Sequence, residues 1–338
     1  MGKHRMSPLI DTYGRRHRDL RVSLTDRCSL RCTYCMPHDF AAWLPSEHLL
    51  TTDELLSVLE VAIAEGIEEV RLTGGEPLLR PDIVDIVARI NRLPHAPKLS
   101  LTTNGLRLAE LAKPLAEAGL IRVNVSLDTL NWERFKAITF RDRIEDVFKG
   151  LNAAREAGLS PIKINSVLMR GVNDDEAPEL LQWAMKEGYF LRFIEQMPLD
   201  AGGIWNRGTM VTADEIFAAL TAQFELTALP ARGSAPAEEF YINGGPQTVG
   251  IIASVTRPFC GACDRLRLTS DGQLRSCLFS LEEMDLRKVL RDESLSKAQV
   301  QQEITQRFQK SVFGKLPGHG INDPSFIQPT RPMSAIGG

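Results

Sequence analysis

Six cysteines fall into two groups of three, and the spacing within each group constrains this chain more than any other feature. The first group, Cys28, Cys32 and Cys35, has the spacing Cys-x3-Cys-x2-Cys and follows an apolar run that is typical of a strand. Three thiolates so close in sequence can bind three irons of a cubic [4Fe–4S] cluster, because short spacers let each sulfur reach a different corner. The fourth iron then has no protein ligand and can bind a substrate or cofactor.

Two other uses of these cysteines compete with a cluster. Disulfides are typical of secreted proteins, but residues 1–19 are polar and basic, and no stretch approaches about 18 uninterrupted apolar residues. We therefore expect a cytoplasmic protein with no membrane partner. Zinc is the closer alternative, because His38 follows Cys35 and could complete a tetrahedral Cys3His site. Structural zinc motifs, however, usually come as two close pairs separated by a longer loop.

The composition is that of an ordinary globular protein. The chain has 338 residues, of which 43% are hydrophobic and 25% are charged, and its net charge is -3. Such a chain can bury one large core, or one core with an appended domain. Because the net charge is small, we expect no nucleic-acid partner, and any anion site has to come from a local cluster of basic residues.

A repeated pattern of helix end, glycine and strand predicts an α/β fold. The glycines that would end the helices are Gly66, Gly119, Gly158 and Gly188, and each precedes a β-branched or aromatic run. Alternating strands and helices imply parallel βα units with right-handed crossovers. We count six units in about the first 225 residues, two short of a full barrel. The prediction is an incomplete (β/α)6 TIM-like barrel at residues 12–230, followed by a C-terminal domain at residues 231–338 that carries the second cysteine group.

Polar residues gather where the predicted strands end, which is where such folds carry their chemistry. These segments are residues 25–26, 73–76, 102–105, 126–128, 165–166 and 195–197. In one of them, Gly74 and Gly75 expose backbone groups to a ligand, and Glu76 could bind a cationic amine. A glycine pair before a proline is by itself more often a simple turn. Its place in the unit after the cysteine loop favours a role in binding.

The first cysteine group, with Tyr34 before its third cysteine and Gly-Gly-Glu-Pro one unit later, resembles the radical S-adenosylmethionine (radical SAM) superfamily. The resemblance implies that S-adenosylmethionine chelates the open iron and is cleaved by one electron to a 5′-deoxyadenosyl radical. It also implies a set of residues that line the cofactor site: Tyr34, Gly75, Ser126 and Met197. Core packing is the ordinary alternative for the tyrosine and the methionine.

The second group, Cys260, Cys263 and Cys277, predicts another cluster. The Asp271-Gly272 turn between two short strand-like runs predicts a hairpin that returns Cys277 to its partners. A zinc ribbon would need a fourth ligand, and no cysteine remains, although a histidine from elsewhere could serve. A [4Fe–4S] cluster with an open iron explains the missing ligand.

Both cysteine groups, the Arg-x-Arg of the second and the terminal Arg331-Pro-Met-Ser-Ala-Ile-Gly-Gly338 resemble the GTP 3′,8-cyclase family of molybdenum cofactor biosynthesis over nearly the whole chain. The resemblance implies that a hydrogen is abstracted from C3′ of GTP and that the new carbon radical closes a ring onto C8 of guanine, which the second cluster binds. The implied partners are an electron donor and a pterin-forming enzyme that receives the cyclic triphosphate. A homodimer is an assembly that this resemblance allows.

The resemblance places the GTP contacts on Arg21, Arg71, Thr102, Lys163, Arg265 and Arg267. A triphosphate carries about four negative charges, and guanidinium groups pair bidentately with phosphate while lysine supplies a point charge. Any one arginine alone is more often a solvated surface group. The family has asparagine where this chain has Asp264, which would put a carboxylate near the second cluster.

The resemblance also implies that the terminal glycines, Gly337 and Gly338, reach the active site and assist catalysis. Two residues without side chains can thread into a crowded cleft. The alternatives are a disordered terminus and a ubiquitin-like carrier tail. For the whole chain, the alternative functions are another radical SAM enzyme with an auxiliary cluster and a zinc-binding module without enzyme activity.

Overall fold

The computed structural model describes residues 8–36, 43–200, 203, 205–230 and 232–337. His38, the expected fourth ligand of a zinc site, and Gly338, the last residue of the predicted tail, lie outside these residues.

One mixed sheet organises the described part of the chain. Its strands are β1 (Asp19–Ser23), β2 (Glu69–Thr73), β3 (Lys98–Thr103), β4 (Arg122–Ser126), β5 (Ile162–Val167), β6 (Phe190–Ile194), β7 (Leu226–Ala228), β8 (Glu238–Ile242), β9 (Thr248–Ile252), β10 (Arg265–Leu268), β11 (Gln273–Arg275) and β12 (Met284–Asp285). The α-helices are α1 (Thr52–Ala64), α2 (Ile83–Asn91), α3 (Leu108–Glu117), α4 (Trp132–Thr139), α5 (Ile144–Glu156), α6 (Ala177–Glu187), α7 (Ala213–Thr221), α8 (Leu286–Leu290), α9 (Lys297–Phe313) and α10 (Met333–Ile336).

The strand order confirms the predicted partial barrel and adds to it. The order is β12-β11-β10-β1-β2-β3-β4-β5-β6-β9-β8-β7, and all strands from β10 to β9 are parallel. The six predicted βα units form the centre of this sheet. Strands β9 and β10, which follow residue 230 in sequence, extend the same sheet at opposite ends. The domain limits of 12–230 and 231–338 stay a prediction.

Local signals in the sequence produce these elements. Thr51 and Glu54 form the reciprocal capping box that begins α1. The four glycines at the predicted helix ends have φ angles between 76° and 102°, a backbone conformation that side chains other than glycine rarely adopt. The chain therefore turns sharply from each helix into the next strand.

The parallel strands separate an apolar face from a polar face. Leu20 and Val22 on β1, and Val70 and Leu72 on β2, are fully buried in the large core. Since side chains alternate along a strand, the residues between them lie on the other face, which carries the arginines. A second, smaller core of Leu199, Met210, Val255, Phe279, Ile321 and Ile336 packs against Cys277. Among the described residues, we find no helix with the length and apolar character that a membrane span requires.

Candidate active site

A cavity of about 270 Å³ lies at the carboxyl ends of the parallel strands. The predicted site residues on its wall are Arg21, Cys28, Cys32, Tyr34, Cys35, Arg71, Gly75, Thr102, Ser126, Met197, Arg265 and Arg267. Lys163 is not on the wall: its ammonium lies 4.7 Å from the centre of the Phe190 ring. Burial, with Arg192 close by, lowers the pKa of Lys163 to about 8. Most of the predicted site residues thus lie around one cavity, although they are spread from residue 21 to residue 267 of the sequence.

The first cysteine group forms a tight loop after β1, in which the Cys32 carbonyl accepts the Cys35 amide at 3.0 Å. The three thiols are free, and burial raises the pKa of Cys28 to about 11 and of Cys35 to about 12. All three cysteines line the same cavity, and burial, with the charges of Cys28 and Cys35, raises the pKa of Cys32. Buried thiolates need positive charge beside them, which metal ions provide. The donor set therefore fits an iron–sulfur cluster. No group of three or more His, Cys, Asp or Glu side chains in the described segments is arranged around a single metal-ion position.

The loop after β2 packs directly against the base of the cysteine loop. The Gly75 amide donates to the Thr25 carbonyl at 2.7 Å, and a Cβ atom at Gly75 would overlap the backbone of Asp26 and Arg27. Glycine at this position is thus needed for the close approach of two backbones. Gly75 nevertheless lines the cavity, as the prediction of a cofactor contact requires.

The Glu76 carboxylate is turned towards the loop after β3. Its buried carboxylate accepts hydrogen bonds from Thr103 Oγ1 at 2.7 Å and from the amides of Leu78 at 2.9 Å and Asn104 at 2.7 Å, and it does not line the cavity. Burial raises the pKa of Glu76 to about 7. In this structure the carboxylate holds the loop after β3 through these donors, and binding of an amine next to it stays a prediction.

Tyr34 is held on the cavity wall by a carboxylate at the end of β4. Its hydroxyl donates to Asp128 Oδ2 at 2.8 Å, and Asp128 Oδ1 accepts the Val167 amide at 2.8 Å. Burial raises the pKa of Asp128 to about 6. This contact explains why the polar strand end at Asp128 matters: it fixes the aromatic ring beside the cysteines.

Three arginines lie side by side on neighbouring strands. The register pairs Arg21 with Arg267 on one side and with Arg71 on the other. Burial lowers the pKa of Arg21 to about 9 and of Arg71 to about 10, and the neighbouring arginines contribute to these shifts. Among the described residues, Nε of Arg21, of Arg71 and of Arg265 has no hydrogen-bond partner. Like charges in a row destabilise a sheet, so this row fits a bound anion.

Arg192 is a cavity residue that the sequence prediction missed. It is 5% exposed, and it donates from Nε to Asn165 and from Nη2 to Asn124, each at 3.0 Å. Burial, with Arg21 nearby, lowers its pKa to about 10. The available signal was a lone arginine within the apolar strand Phe190–Ile194. Arg192 therefore adds, on the side of β6, to the positively charged cavity surface that Arg21, Arg71 and Arg267 form.

The second cysteine group lines a neighbouring cavity of about 450 Å³. As predicted, β10 and β11 form an antiparallel hairpin with Gly272 in its turn. The Lys315 ammonium lies 3.6 Å from Cys263 Sγ and donates to the Arg265 carbonyl at 2.6 Å. Burial alone would raise the pKa of Cys263, but Lys315 and Arg265 bring it below its usual value. These cations favour thiolates, so this group also fits a metal cluster.

The last described residue of the C-terminal tail, Gly337, lies beside the arginine row. The Gly337 carbonyl accepts a hydrogen bond from Arg267 Nη1, and its amide donates to the Met333 carbonyl at 3.0 Å. A Cβ atom at Gly337 would lie 3.0 Å from Thr73 Cγ2 and 3.2 Å from Ser23 Cβ. The described end of the tail therefore lies against the last residues of β1 and β2, where a larger residue would clash.

Comparison with known proteins gives a family match for each of the two parts of the chain that carry the cysteine groups. Residues 22–184 match the family model of the radical SAM superfamily, and residues 189–320 match that of molybdenum cofactor synthesis C. The chain is 59% identical to GTP 3',8-cyclase of Streptomyces coelicolor, covering 98% of this chain and 96% of the relative. It is 52% identical to GTP 3',8-cyclase 2 of Mycobacterium tuberculosis strain H37Rv, covering 98% and 92%.

A solved structure with a similar fold is Streptococcus suis SuiB bound to S-adenosylmethionine. The TM-score is 0.57 at 15% sequence identity, and the match covers 85% of this chain but only 65% of SuiB. At this identity the likeness supports the fold alone.

Proposed function

This chain belongs to the GTP 3′,8-cyclase family of the radical SAM superfamily, and we infer that it converts GTP to (8S)-3′,8-cyclo-7,8-dihydroguanosine 5′-triphosphate in molybdenum cofactor biosynthesis. It is an enzyme that uses S-adenosylmethionine and an iron–sulfur cluster. One structural observation carries the assignment. The loop of the three half-buried cysteines opens into the same cavity as Arg21, Arg71 and Arg265, whose Nε atoms have no hydrogen-bond partner among the described residues.

We assign the first cluster to Cys28, Cys32 and Cys35. When bound, a reduced [4Fe–4S] cluster and S-adenosylmethionine together supply a carbon radical that can abstract a hydrogen atom. Four wall residues, Tyr34, Gly75, Ser126 and Met197, would hold the cofactor. The hydrogen bond from Tyr34 to Asp128 orients the aromatic ring, and the apolar wall around it excludes water from the reaction.

The cationic surface would bind the triphosphate of GTP. Arg21, Arg71, Thr102, Lys163, Arg265 and Arg267 are the proposed contacts, and Arg192 joins them from β6. Guanidinium groups with unused Nε donors can each contribute a charge-assisted hydrogen bond to phosphate. The bound anion would also offset the repulsion within the row, so GTP and the sheet stabilise each other.

The second cysteine group would hold a second [4Fe–4S] cluster, the one to which the family resemblance assigns the guanine base. Lys315 and Arg265 support this by stabilising the Cys263 thiolate. Metal analysis separates this proposal from the zinc alternative. Two clusters require about eight irons per chain, whereas a zinc ribbon binds zinc in their place.

The remaining features of the proposal concern the tail and the partners. Gly337 and Gly338 would complete the active site, since the described end of the tail contacts Arg267. We expect a cytoplasmic enzyme, an electron donor for the first cluster and a pterin-forming enzyme that takes the product. A homodimer and the domain limits of 12–230 and 231–338 belong to the same set of expectations.

Anaerobic turnover tests the proposed function. The cluster-loaded chain is incubated with GTP, S-adenosylmethionine and a reductant, and 5′-deoxyadenosine and nucleotides are separated by liquid chromatography and measured by mass spectrometry. We expect 5′-deoxyadenosine and a cyclic nucleotide that has the same mass as GTP but elutes separately from it. ATP in place of GTP is the control for base recognition. If 5′-deoxyadenosine forms but GTP remains unchanged, the enzyme is a radical SAM enzyme with another substrate.

A further inference from the structure

Arg331 makes a two-sided ion-pair network near the start of the C-terminal tail. Its Nη1 and Nη2 lie 3.1 and 2.9 Å from the two carboxylate oxygens of Asp271. On the other side, its Nε and Nη2 lie 2.8 and 3.0 Å from the carboxylate of Glu283. Bidentate pairs of this kind fix direction as well as distance, because the guanidinium is planar.

Both carboxylates are also held in place by residues other than Arg331. Asp271 is 6% exposed and accepts the Thr269 hydroxyl at 2.6 Å, and Glu283 is paired with Arg275. Exposed single ion pairs contribute little to stability. This network is different, because its side chains are at most 24% exposed and both acceptors are tied to the hairpin of β10 and β11, Asp271 in its turn and Glu283 through Arg275.

The same hairpin also holds the far end of the tail. Arg267 on β10 donates to the Gly337 carbonyl, and Arg331 lies at the Asp271 turn that follows this strand. Between these two attachments the chain forms the short helix α10, whose first amide, Met333 N, donates to the Leu199 carbonyl at 3.3 Å, and whose Ile336 is buried in the second core. A helix of one turn is not stable by itself, so its position depends on its attachments.

We propose that Arg331 is a positioning residue that anchors the C-terminal tail to Asp271 and Glu283 and so keeps Gly337 at Arg267 inside the active site. The inference rests on the proposed role of the tail. It adds to that role the residue that holds the tail in place without touching substrate or cofactor.

Hydrogen exchange measures the anchoring directly, without reference to activity. The full-length, cluster-loaded chain is compared with Arg331→Ala and Arg331→Lys, and the exchange of residues 333–337 is followed by mass spectrometry. The amides of Met333, Ala335 and Gly337 are hydrogen-bonded in this structure. We expect them to exchange about tenfold faster or more in Arg331→Ala, the effect of losing a charge-assisted pair of bonds. Lysine cannot form the bidentate contacts of a guanidinium, so Arg331→Lys should keep only part of the protection from exchange.

A matched control is available on α4. Arg134 also binds a carboxylate bidentately, because its Nη1 and Nη2 lie 2.7 and 2.9 Å from the two carboxylate oxygens of Asp175. Its Nη1 also lies 2.6 Å from the carboxylate of Glu176. Arg134→Ala removes a comparable network and should leave tail exchange unchanged. Asp271→Asn should speed exchange, and the double variant with Arg331→Ala should show less than the product of the two effects, since the residues act through each other.

Turnover then links anchoring to chemistry. In Arg331→Ala we expect the yield of cyclic nucleotide per 5′-deoxyadenosine to decrease about tenfold, in line with the lost anchoring, while S-adenosylmethionine cleavage continues. Unchanged tail exchange in Arg331→Ala overturns the inference. A chain ending at Ile336 separates it from the proposed function. If that chain cyclises GTP normally, the role of the tail fails; if it is inactive but Arg331→Ala has the normal yield, only the anchoring inference fails.

Discussion

Replacing Gly337 by alanine should displace the tail from the active site. Gly337 has φ 83° and ψ 90°, a conformation that costs a residue with a side chain about 1 to 3 kcal/mol. The added Cβ would also lie 3.0 Å from Thr73 Cγ2 and 3.2 Å from Ser23 Cβ. Both separations are closer than the optimum for carbon atoms, and overpacking of this kind costs about 1 to 3 kcal/mol more. The smaller values add to about 2 kcal/mol, which lowers the ratio of inserted to displaced tail about thirtyfold.

The assay is anaerobic turnover of cluster-loaded protein, with cyclic nucleotide and 5′-deoxyadenosine measured in the same sample. We expect Gly337→Ala to lower the yield of cyclic nucleotide per 5′-deoxyadenosine strongly, while iron content and thermal unfolding stay as in the parent chain. Gly171→Ala is the matched control. Gly171 also has a positive φ, 73°, but no atom lies within 4 Å of its hypothetical Cβ. This control introduces backbone strain away from the cavity and should keep the normal product ratio.

A normal product ratio in Gly337→Ala, with both clusters loaded, would refute the reasoning. The tail would then be an ordered terminus that rests on Arg267 without a part in cyclisation. A loss of iron together with activity would instead show that the substitution acts on the cluster sites, and the close approach to Ser23 and Thr73 would have to be reinterpreted.

Three further predictions test other parts of the site. Cys277→Ser should lower iron from about eight to about four per chain and abolish cyclisation, while 5′-deoxyadenosine still forms. Cys28→Ser should abolish both cyclisation and the formation of 5′-deoxyadenosine. Normal cyclic product from Cys277→Ser would disprove the role of the second cluster. Arg192→Ala should weaken GTP binding about tenfold or more by equilibrium dialysis, and unchanged affinity would move the triphosphate away from β6. The pKa of Glu76, raised to about 7 from a usual value of 4.5, means that the folded state keeps a proton that the unfolded state has lost. The free energy of unfolding should therefore decrease by up to about 3 kcal/mol as the pH rises from about 4.5 through 7, and urea titrations of Glu76→Gln should lack this decrease.

The local pattern of the sequence was enough to predict the repeating unit and the metal-binding groups. Each helix end with its glycine, such as Gly66 before β2, depends on neighbours only a few residues away. The same holds for the cysteine spacing and for the hairpin at Asp271-Gly272, since short loops leave few alternative geometries. The prediction of GTP contacts at Arg265 and Arg267 came from a family resemblance, which carries tertiary information that the spacing does not contain.

Only the tertiary structure decided which distant residues meet. The lateral register of parallel strands puts Arg267 beside Arg21 and Arg21 beside Arg71, and it adds β9 and β10 to the two ends of the sheet. Arg192 had no motif to mark it, and Glu76 turned inward to the loop after β3. Strand pairing across a parallel sheet is set by packing between segments far apart in sequence, and hydrophobic periodicity reports which face of a strand is buried but not which strand lies next to it.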